Sequence, residues 1–340
     1  MSEEPEAEVV VAPDYLPWHG PARARLAAAA TGARMPHALL LHGPDGVGKQ
    51  RFAAALAAGL FCRKLGSDLE PCGACAECVL SRAGTHPDLH WLRRPEDRKT
   101  IGVDAVRDAC EQLGMTSLRG GYRVAVVATA QLMTHSAQNA FLKTLEEPAP
   151  RTLLVLVTSR PSALLATLRS RCQRVEIPRP APEGAIEWLR GNLGAPPPPG
   201  LLDLAGGAPL RALALAPHYP ALEQQMTMLL EDLADGRVEV THVAADLLGE
   251  GLGTRLDWIE HWLAGAFRDR LARDGTQVRI PSATKLQRAA GALNMRAAFR
   301  FVDRLRESRR LLEGSAAAQL VVEALLIELA AAFRNRGVAR

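Results

Sequence analysis

The run Ala38-Leu39-Leu40-Leu41-His42-Gly43-Pro44-Asp45-Gly46-Val47-Gly48-Lys49-Gln50 carries the strongest local pattern in this chain. Its apolar start, ending in glycines, predicts a buried β-strand over Ala38 to His42, and the alanine-rich run from Lys49 to Phe61 predicts a helix. A glycine-rich turn between a strand and a helix is the setting of a phosphate-binding loop. Gly43, Gly46 and Gly48 let backbone N–H groups curl around phosphate oxygens. The helix N-terminus adds its dipole, and Lys49 reaches toward the terminal phosphates. One position departs from the pattern: a working loop ends in Ser or Thr, whose hydroxyl ligates Mg²⁺, and Gln50 is a poor substitute. The alternative is a glycine-rich turn that holds no nucleotide.

Outward from this loop, helices are expected over Pro21 to Thr31, Val103 to Leu113, Ser136 to Glu146 and, briefly, Leu164 to Leu168. Strands are expected over Pro87 to Leu92, Arg123 to Thr129, Thr152 to Thr158 and Gln173 to Ile177. Strands alternating with helices at this spacing imply a mostly parallel sheet covered on both faces, an α/β domain over residues 13–178. Pro178, Pro180 and Pro182 mark a boundary, and everything beyond it reads as helix apart from the proline loop Pro196 to Pro199. A small helical domain is expected over 179–216 and a helical bundle over 220–336, so the fold class is α/β plus all-α. In the bundle, Val321, Leu325, Leu329 and Ala332 recur at helical spacing, and Trp258 and Trp262 share a helix face suited to core packing. Residues 1–12, acidic and valine-rich, are expected to be a disordered tail.

The 340 residues are 48% hydrophobic, 23% charged and only 4% aromatic, which suits a helix-rich protein of two or three domains and excludes an all-β sandwich or a disordered chain. A net charge of +4 is too small for a uniformly basic nucleic-acid binder. Met1 to Glu8 carries glutamates and no Lys or Arg, the opposite of a signal peptide, and no apolar run approaches the ~18 residues of a membrane span. A cytoplasmic protein without a membrane segment is expected.

A hydrolysing enzyme of this type also needs carboxylates at the end of a later strand, to hold Mg²⁺ and to activate water. The strand Arg123 to Val127 runs instead into Ala128-Thr129-Ala130-Gln131. Gln50 and this missing acidic pair fall on the same function, so the chain is expected to have lost ATP hydrolysis.

Cys62, Cys72, Cys75 and Cys78 form a C-x9-C-x2-C-x2-C cluster after the loop's helix. Pairs two residues apart can turn both sulfurs onto one ion, with Pro71 and Gly73 supplying the turn, and four thiolates suit tetrahedral Zn²⁺ in a closed structural site. Residues 62–78 would form this zinc module; free thiols or a redox motif are the alternatives. His86 could replace Cys62 as a ligand or simply pack nearby, and Cys110 and Cys172 read as ordinary buried thiols.

The run Asn139-Ala140-Phe141-Leu142-Lys143-Thr144-Leu145-Glu146-Glu147-Pro148, followed by Leu168-Arg169-Ser170-Arg171-Cys172, resembles the AAA+ subunits of sliding-clamp loaders. The cysteine cluster, Ala83-Gly84-Thr85-His86-Pro87-Asp88 and Gly102-Val103-Asp104-Ala105-Val106-Arg107 are similar to bacterial members, those of DNA polymerase III. The motifs cover residues 15–178; beyond 180 the likeness rests on helical organisation. The resemblance implies an AAA+ P-loop NTPase-like sheet domain, a small helical lid over 179–216 and a C-terminal helical collar over 220–336 that joins subunits in a ring.

Residue by residue, the resemblance implies that Arg171, flanked by Ser170 and Cys172, is an arginine finger projecting into the ATP site of a neighbouring subunit. A guanidinium suits that task because it is always charged and presents forked donors. The alternatives are that Arg171 pairs structurally with an acidic neighbour, or that Arg169 takes the role. Thr158 matches a γ-phosphate-sensing position that could now only cap its strand, and Arg211 lies near the lid arginine of active relatives or is a solvated helix-start residue. With degenerate motifs at Gly43, Gly46, Gly48, Lys49, Gln50 and Thr158, the resemblance implies a non-hydrolysing subunit, with ATP doubtful in cis and Zn²⁺ structural. It would belong to a DNA-directed DNA polymerase, a nucleotidyltransferase holoenzyme. Its partners would be the delta and gamma/tau subunits and, through the assembly, the β sliding clamp and primed DNA. The rival readings are an active gamma/tau-like ATPase, disfavoured by the missing groups, and a zinc-dependent nucleic-acid-binding module. Near-neutral charge and the lack of basic residues between Cys72 and Cys78 disfavour the latter.

Overall fold

β-Branched and leucine-rich runs that alternate with amphipathic helices fold here as a parallel sheet between helical layers. The computed structural model describes residues 11–31, 35–66, 68–237, 239–249, 251–271, 283–313 and 316–334. Five strands, β1 (Ala38–His42), β2 (Leu89–Leu92), β3 (Arg123–Val127), β4 (Thr152–Thr158) and β5 (Gln173–Glu176), lie in the order β2-β3-β4-β1-β5, all parallel. Parallel neighbours need crossovers, supplied by α2 (Lys49–Phe61) with α3 (Ala76–Arg82), then α4 (Val103–Gly114), α5 (His135–Glu146) and α6 (Ala166–Arg171); α1 (Gly20–Thr31) precedes β1. The α/β alternation expected from sequence is therefore present, with strand ends shifted by a residue or two. The larger shift is in α6, which extends to Arg171 rather than ending at Leu168.

Because strand side chains alternate, Leu40, Ala125, Val127, Leu154 and Leu156 enter one core with Val106 and Leu113 of α4, Phe141 and Leu145 of α5 and Leu168 of α6. The intervening Leu39, Leu41, Val124, Val126 and Val155 are equally buried, and α2 packs against β1 and β4. Burial on both faces explains why these strands read as continuous apolar runs. The register pairs His42 of β1 with Thr158 of β4 and with Glu176 of β5, so the loop after β1 opens at the carboxyl edge of the sheet.

One compact unit runs to Gly184 and a second begins at Ala185. The second is helical: α7 (Pro182–Leu193), within which the boundary falls, α8 (Leu201–Leu204), α9 (Pro209–Leu215), α10 (Tyr219–Asp235), α11 (Val240–Leu247), α12 (Leu252–Leu271), α13 (Ala283–Ala292), α14 (Met295–Glu313) and α15 (Ala318–Arg334). Leu189, Leu201, Leu204 and Ala212 share one core with Trp258, Trp262, Leu325, Leu329 and Ala332. Both tryptophans are core residues, as their spacing predicts, and Arg270 donates to the Gly291 and Leu293 carbonyls. Most of the expected tail, residues 1–10, lies outside the described residues. No described helix is long and apolar enough to cross a membrane.

Candidate functional site

The phosphate-loop sequence folds as a strand-to-helix turn whose glycines are sterically required. A Cβ on Gly43 would lie 2.1 Å from the Ile177 carbonyl oxygen, and Gly48, the N-cap of α2, has φ +85° and would drive a Cβ to 2.4 Å from Leu16. Lys49 is buried; its Nζ donates to the Pro44 carbonyl at 2.6 Å and lies 3.4 Å from Asp45, so the ammonium is folded back on its own loop. Burial pulls it below the ordinary lysine range. The Gln50 amide donates to the Ala128 carbonyl at 3.3 Å. Gln50 thus reaches the backbone at the carboxyl end of β3, the place where a hydrolysing enzyme of this type carries carboxylates.

From outside, the Val47 carbonyl accepts Trp18 Nε1 at 2.9 Å and His19 Nε2 at 3.1 Å. The Leu16 N–H donates to His19 Nδ1 at 3.1 Å, which fixes the neutral Nε2–H tautomer. Burial lowers the His19 pKa to about 4. Thr158 is buried at the end of β4, and its Oγ1 accepts the Arg160 N–H at 3.1 Å, a strand-end cap.

Helix α2 ends at Cys62, a turn follows through Gly73 at φ +72°, and α3 starts from Cys75 as N-cap with Cys78 in its first turn. The four sulfurs lie within 4.8 Å of one another, with Cys72–Cys78 at 3.9 Å and Cys62–Cys75 at 4.0 Å. A zinc tetrahedron with Zn–S bonds of about 2.3 Å has S···S edges of about 3.8 Å, whereas a disulfide requires about 2.05 Å. The donor set therefore fits zinc and does not form disulfides. Burial pushes the Cys78 thiol up to about 12; Cys75 is also desolvated, but N–H groups of Arg63 and Cys78 outweigh this and hold it at about 6. Zinc ligation would require these thiols to be deprotonated, with release of their protons.

His86 is not part of this cluster. Its ring stacks on Phe61 with centroids 3.8 Å apart, and its Nε2 faces Glu77 at 3.3 Å. Glu77, buried between two of the cysteines, receives both arms of Arg119 at 2.9 and 3.0 Å, and Arg63 at 2.8 Å. Asp88 holds the backbone before Arg119, accepting the Leu118 and Arg119 N–H groups and the Ser117 hydroxyl. Cys172 is buried, with its thiol raised by burial to about 11, and Cys110 is half-buried.

Arg171 ends α6 at the surface, its side chain 37% exposed. Its Nη1 donates to the Thr167 carbonyl at 3.1 Å and its Nη2 to Glu146 Oε1 at 2.7 Å, while the Arg169 Nε is buried without a partner. The buried Gln138 positions this helix from α5: its Oε1 accepts the Leu165 N–H at 2.7 Å, and its Nε2 donates to Met133 and Ala163 carbonyls. In the second unit, Arg211 is partly exposed and pairs with Asp257 of α12, which also binds Arg309 of α14.

Sequence reasoning missed Gln138, Glu77, Arg119 and the Trp18-His19 clamp. A polar residue among apolar helix positions is the one available signal for Gln138 and Glu77; the others are visible only once their distant partners are known.

The chain matches, over residues 19–181, the family described as DNA polymerase III, delta subunit. It is 36% identical to the DNA polymerase III subunit delta-prime of Pseudomonas aeruginosa over 269 residues, 77% of this chain and 80% of that protein. With the same subunit of Escherichia coli K12 it shares 36% identity over 263 residues, 76% of this chain and 77% of that one. Likeness to the tau subunit of Bacillus subtilis, 32% over 146 residues, covers 43% of this chain and 25% of that protein. On these grounds the chain belongs to the family of DNA polymerase III delta-prime subunits.

Proposed function

We propose that this chain is a non-hydrolysing AAA+ subunit of the DNA polymerase III clamp loader, one that donates Arg171 to the ATP site of an adjacent ATPase subunit. The observation that carries the absence of hydrolysis is the bond between Gln50 and the Ala128 carbonyl. The side chain that replaces the Mg²⁺-ligating hydroxyl is committed to the backbone at the site of the missing carboxylates. No acidic residue stands between Ala128 and Gln131 to hold a metal or polarise water.

Arg171 supports the complementary half of the reading. It stands at a surface helix end with fixed charge and two forked donors, and it is held only by its own helix and by an exposed carboxylate. Stabilising charge on a transferring phosphate in trans is worth ~10³ to 10⁵ in rate in other nucleotidases. Cys62, Cys72, Cys75 and Cys78 would hold Zn²⁺, which fills a closed, structural role with no open coordination position. The helices from 179 to 216 would act as the lid and those from 220 to 336 as the collar that joins the ring. Delta and gamma/tau subunits are the direct partners in this reading, and the assembly places the β clamp on primed DNA.

The test is ATP turnover by the isolated chain and by a loader reconstituted with delta, gamma, clamp and primed DNA, using wild-type chain or Arg171→Ala. The isolated chain is expected to show none. Arg171→Ala is expected to lower turnover of the assembled loader by at least about tenfold, with assembly intact. Turnover by the isolated chain, or an unaffected loader, would overturn the proposal.

A further inference from the structure

Both terminal nitrogens of the Arg171 guanidinium are bonded within this chain, while its side chain stays 37% exposed. Nη1 is bound to the Thr167 carbonyl of its own helix and Nη2 to Glu146 at 2.7 Å, the last residue of α5. A phosphate takes an arginine through the same paired N–H face. A phosphate gripped by both terminal nitrogens therefore competes with Glu146 for Nη2. We propose that Glu146 is a positioning residue for Arg171: a latch that holds the finger against this subunit and yields it only when a triphosphate competes for it.

The exposure of the pair suits a release step. The Arg171 side chain is 37% exposed and that of Glu146 55%, so the bond is made in high dielectric and is weak enough to exchange. A buried pair would not let go, because it would leave an uncompensated charge. The support beneath is rigid by contrast. Gln138 ties α5 to the backbone that leads into α6, so Glu146 and Arg171 are presented on two helices locked to each other. The latch can open by side-chain rotation alone. Once Arg171 has swung away, Glu146 also stands as an unpaired negative charge beside the incoming triphosphate, and this penalises engagement until the neighbouring subunit is correctly seated.

This inference rests on Arg171 acting in trans, and the experiment separates the two ideas. Loaders are reconstituted with wild-type chain, Glu146→Gln, Arg171→Ala and the double variant, and ATP turnover is measured with and without clamp and primed DNA. Glutamine keeps the shape and removes the charge. Glu146→Gln is expected to raise the rate without clamp and DNA by about two- to five-fold, the range an exposed ion pair supports, and to leave the stimulated rate nearly unchanged. The double variant is expected to fall to the level of Arg171→Ala, since a latch has nothing to hold without its finger. A merely structural Glu146 would lower both rates together, or neither. If Arg171→Ala is defective while Glu146→Gln behaves in either of those ways, the latch is overturned and the trans finger stands. If Arg171→Ala has no effect, the trans finger fails and the latch fails with it.

Discussion

The two ends of α2 carry two sites with opposite chemistry. At its N-terminus, three groups of the phosphate-loop sequence are bonded within the chain: Lys49 Nζ to Pro44, Gln50 Nε2 to Ala128, and the Val47 carbonyl to Trp18 and His19. At its C-terminus, Cys62 begins a cluster of four sulfurs spaced for a tetrahedral ion, with Cys62 and Cys78 buried and Cys72 exposed. At one end the long polar side chains turn back onto the protein; at the other the donor set is spaced to suit a metal ion. Retained glycines alone do not distinguish a working loop from a retired one. What bears on the difference is where the side chains that would meet the ligand are bonded, here Lys49 to Pro44 and Gln50 to Ala128.

The largest effect should come from removing metal at the cysteine end. Cys78→Ser, or chelation of verified zinc-bound protein, is expected to lower the thermal midpoint of the first unit by more than about 10 °C, because structural zinc contributes directly to folding free energy. Unchanged unfolding after complete metal removal, checked by elemental analysis, would break the contrast at its stronger side.

A smaller effect should appear at the clamped end as pH falls. His19 is neutral in the fold with its pKa lowered by burial to about 4, against about 6.5 when unfolded. The unfolded chain therefore binds the extra proton first, and stability is fully present above about pH 6.5 and is lost as pH falls toward 4. The loss should be on the order of 3 kcal/mol, since one unit is about 1.4 kcal/mol. Arg51 opposes the charged ring and Asp14 favours it, but burial is the leading cause. Thermal unfolding from pH 7 to 4.5, compared with His19→Gln, measures it; identical pH slopes in the two proteins would show that His19 is not the group responsible.

The smallest effect is expected from Gln50→Thr. It restores the hydroxyl and removes one hydrogen bond to Ala128, with a stability change of about 1 kcal/mol or less and no gain of ATP turnover. Measurable hydrolysis by this single variant would mean that only one part was missing, and the loop would then count as dormant rather than sealed.

The strands, their parallel order of appearance, the loop and the cysteine cluster were legible because each is written in neighbouring residues: apolar runs, glycine spacing, pairs of cysteines two apart. Residues 164–171 show where local reading runs out. A helix over Leu164 to Leu168 is expected, yet it runs from Ala166 to Arg171; at its start Gln138 captures the Leu165 N–H, a partner that lies 27 residues away in sequence. Arg211 shows the same limit: nothing near it in sequence names its ion-pair partner, Asp257, far along the chain.

By itself, the sequence determined the α/β alternation, the helical second half, the glycine-rich strand-to-helix turn and the four clustered cysteines, since periodicity and spacing act over a few residues. Only the tertiary structure decided that Gln50 meets Ala128, that Arg119 neutralises Glu77, and that Glu146 holds Arg171. Those pairs are brought together by the sheet order β2-β3-β4-β1-β5 and the crossovers above it. A charged or amide side chain has no preferred partner in sequence; its partner is whichever complementary group the packed backbone leaves within about 3 Å of it.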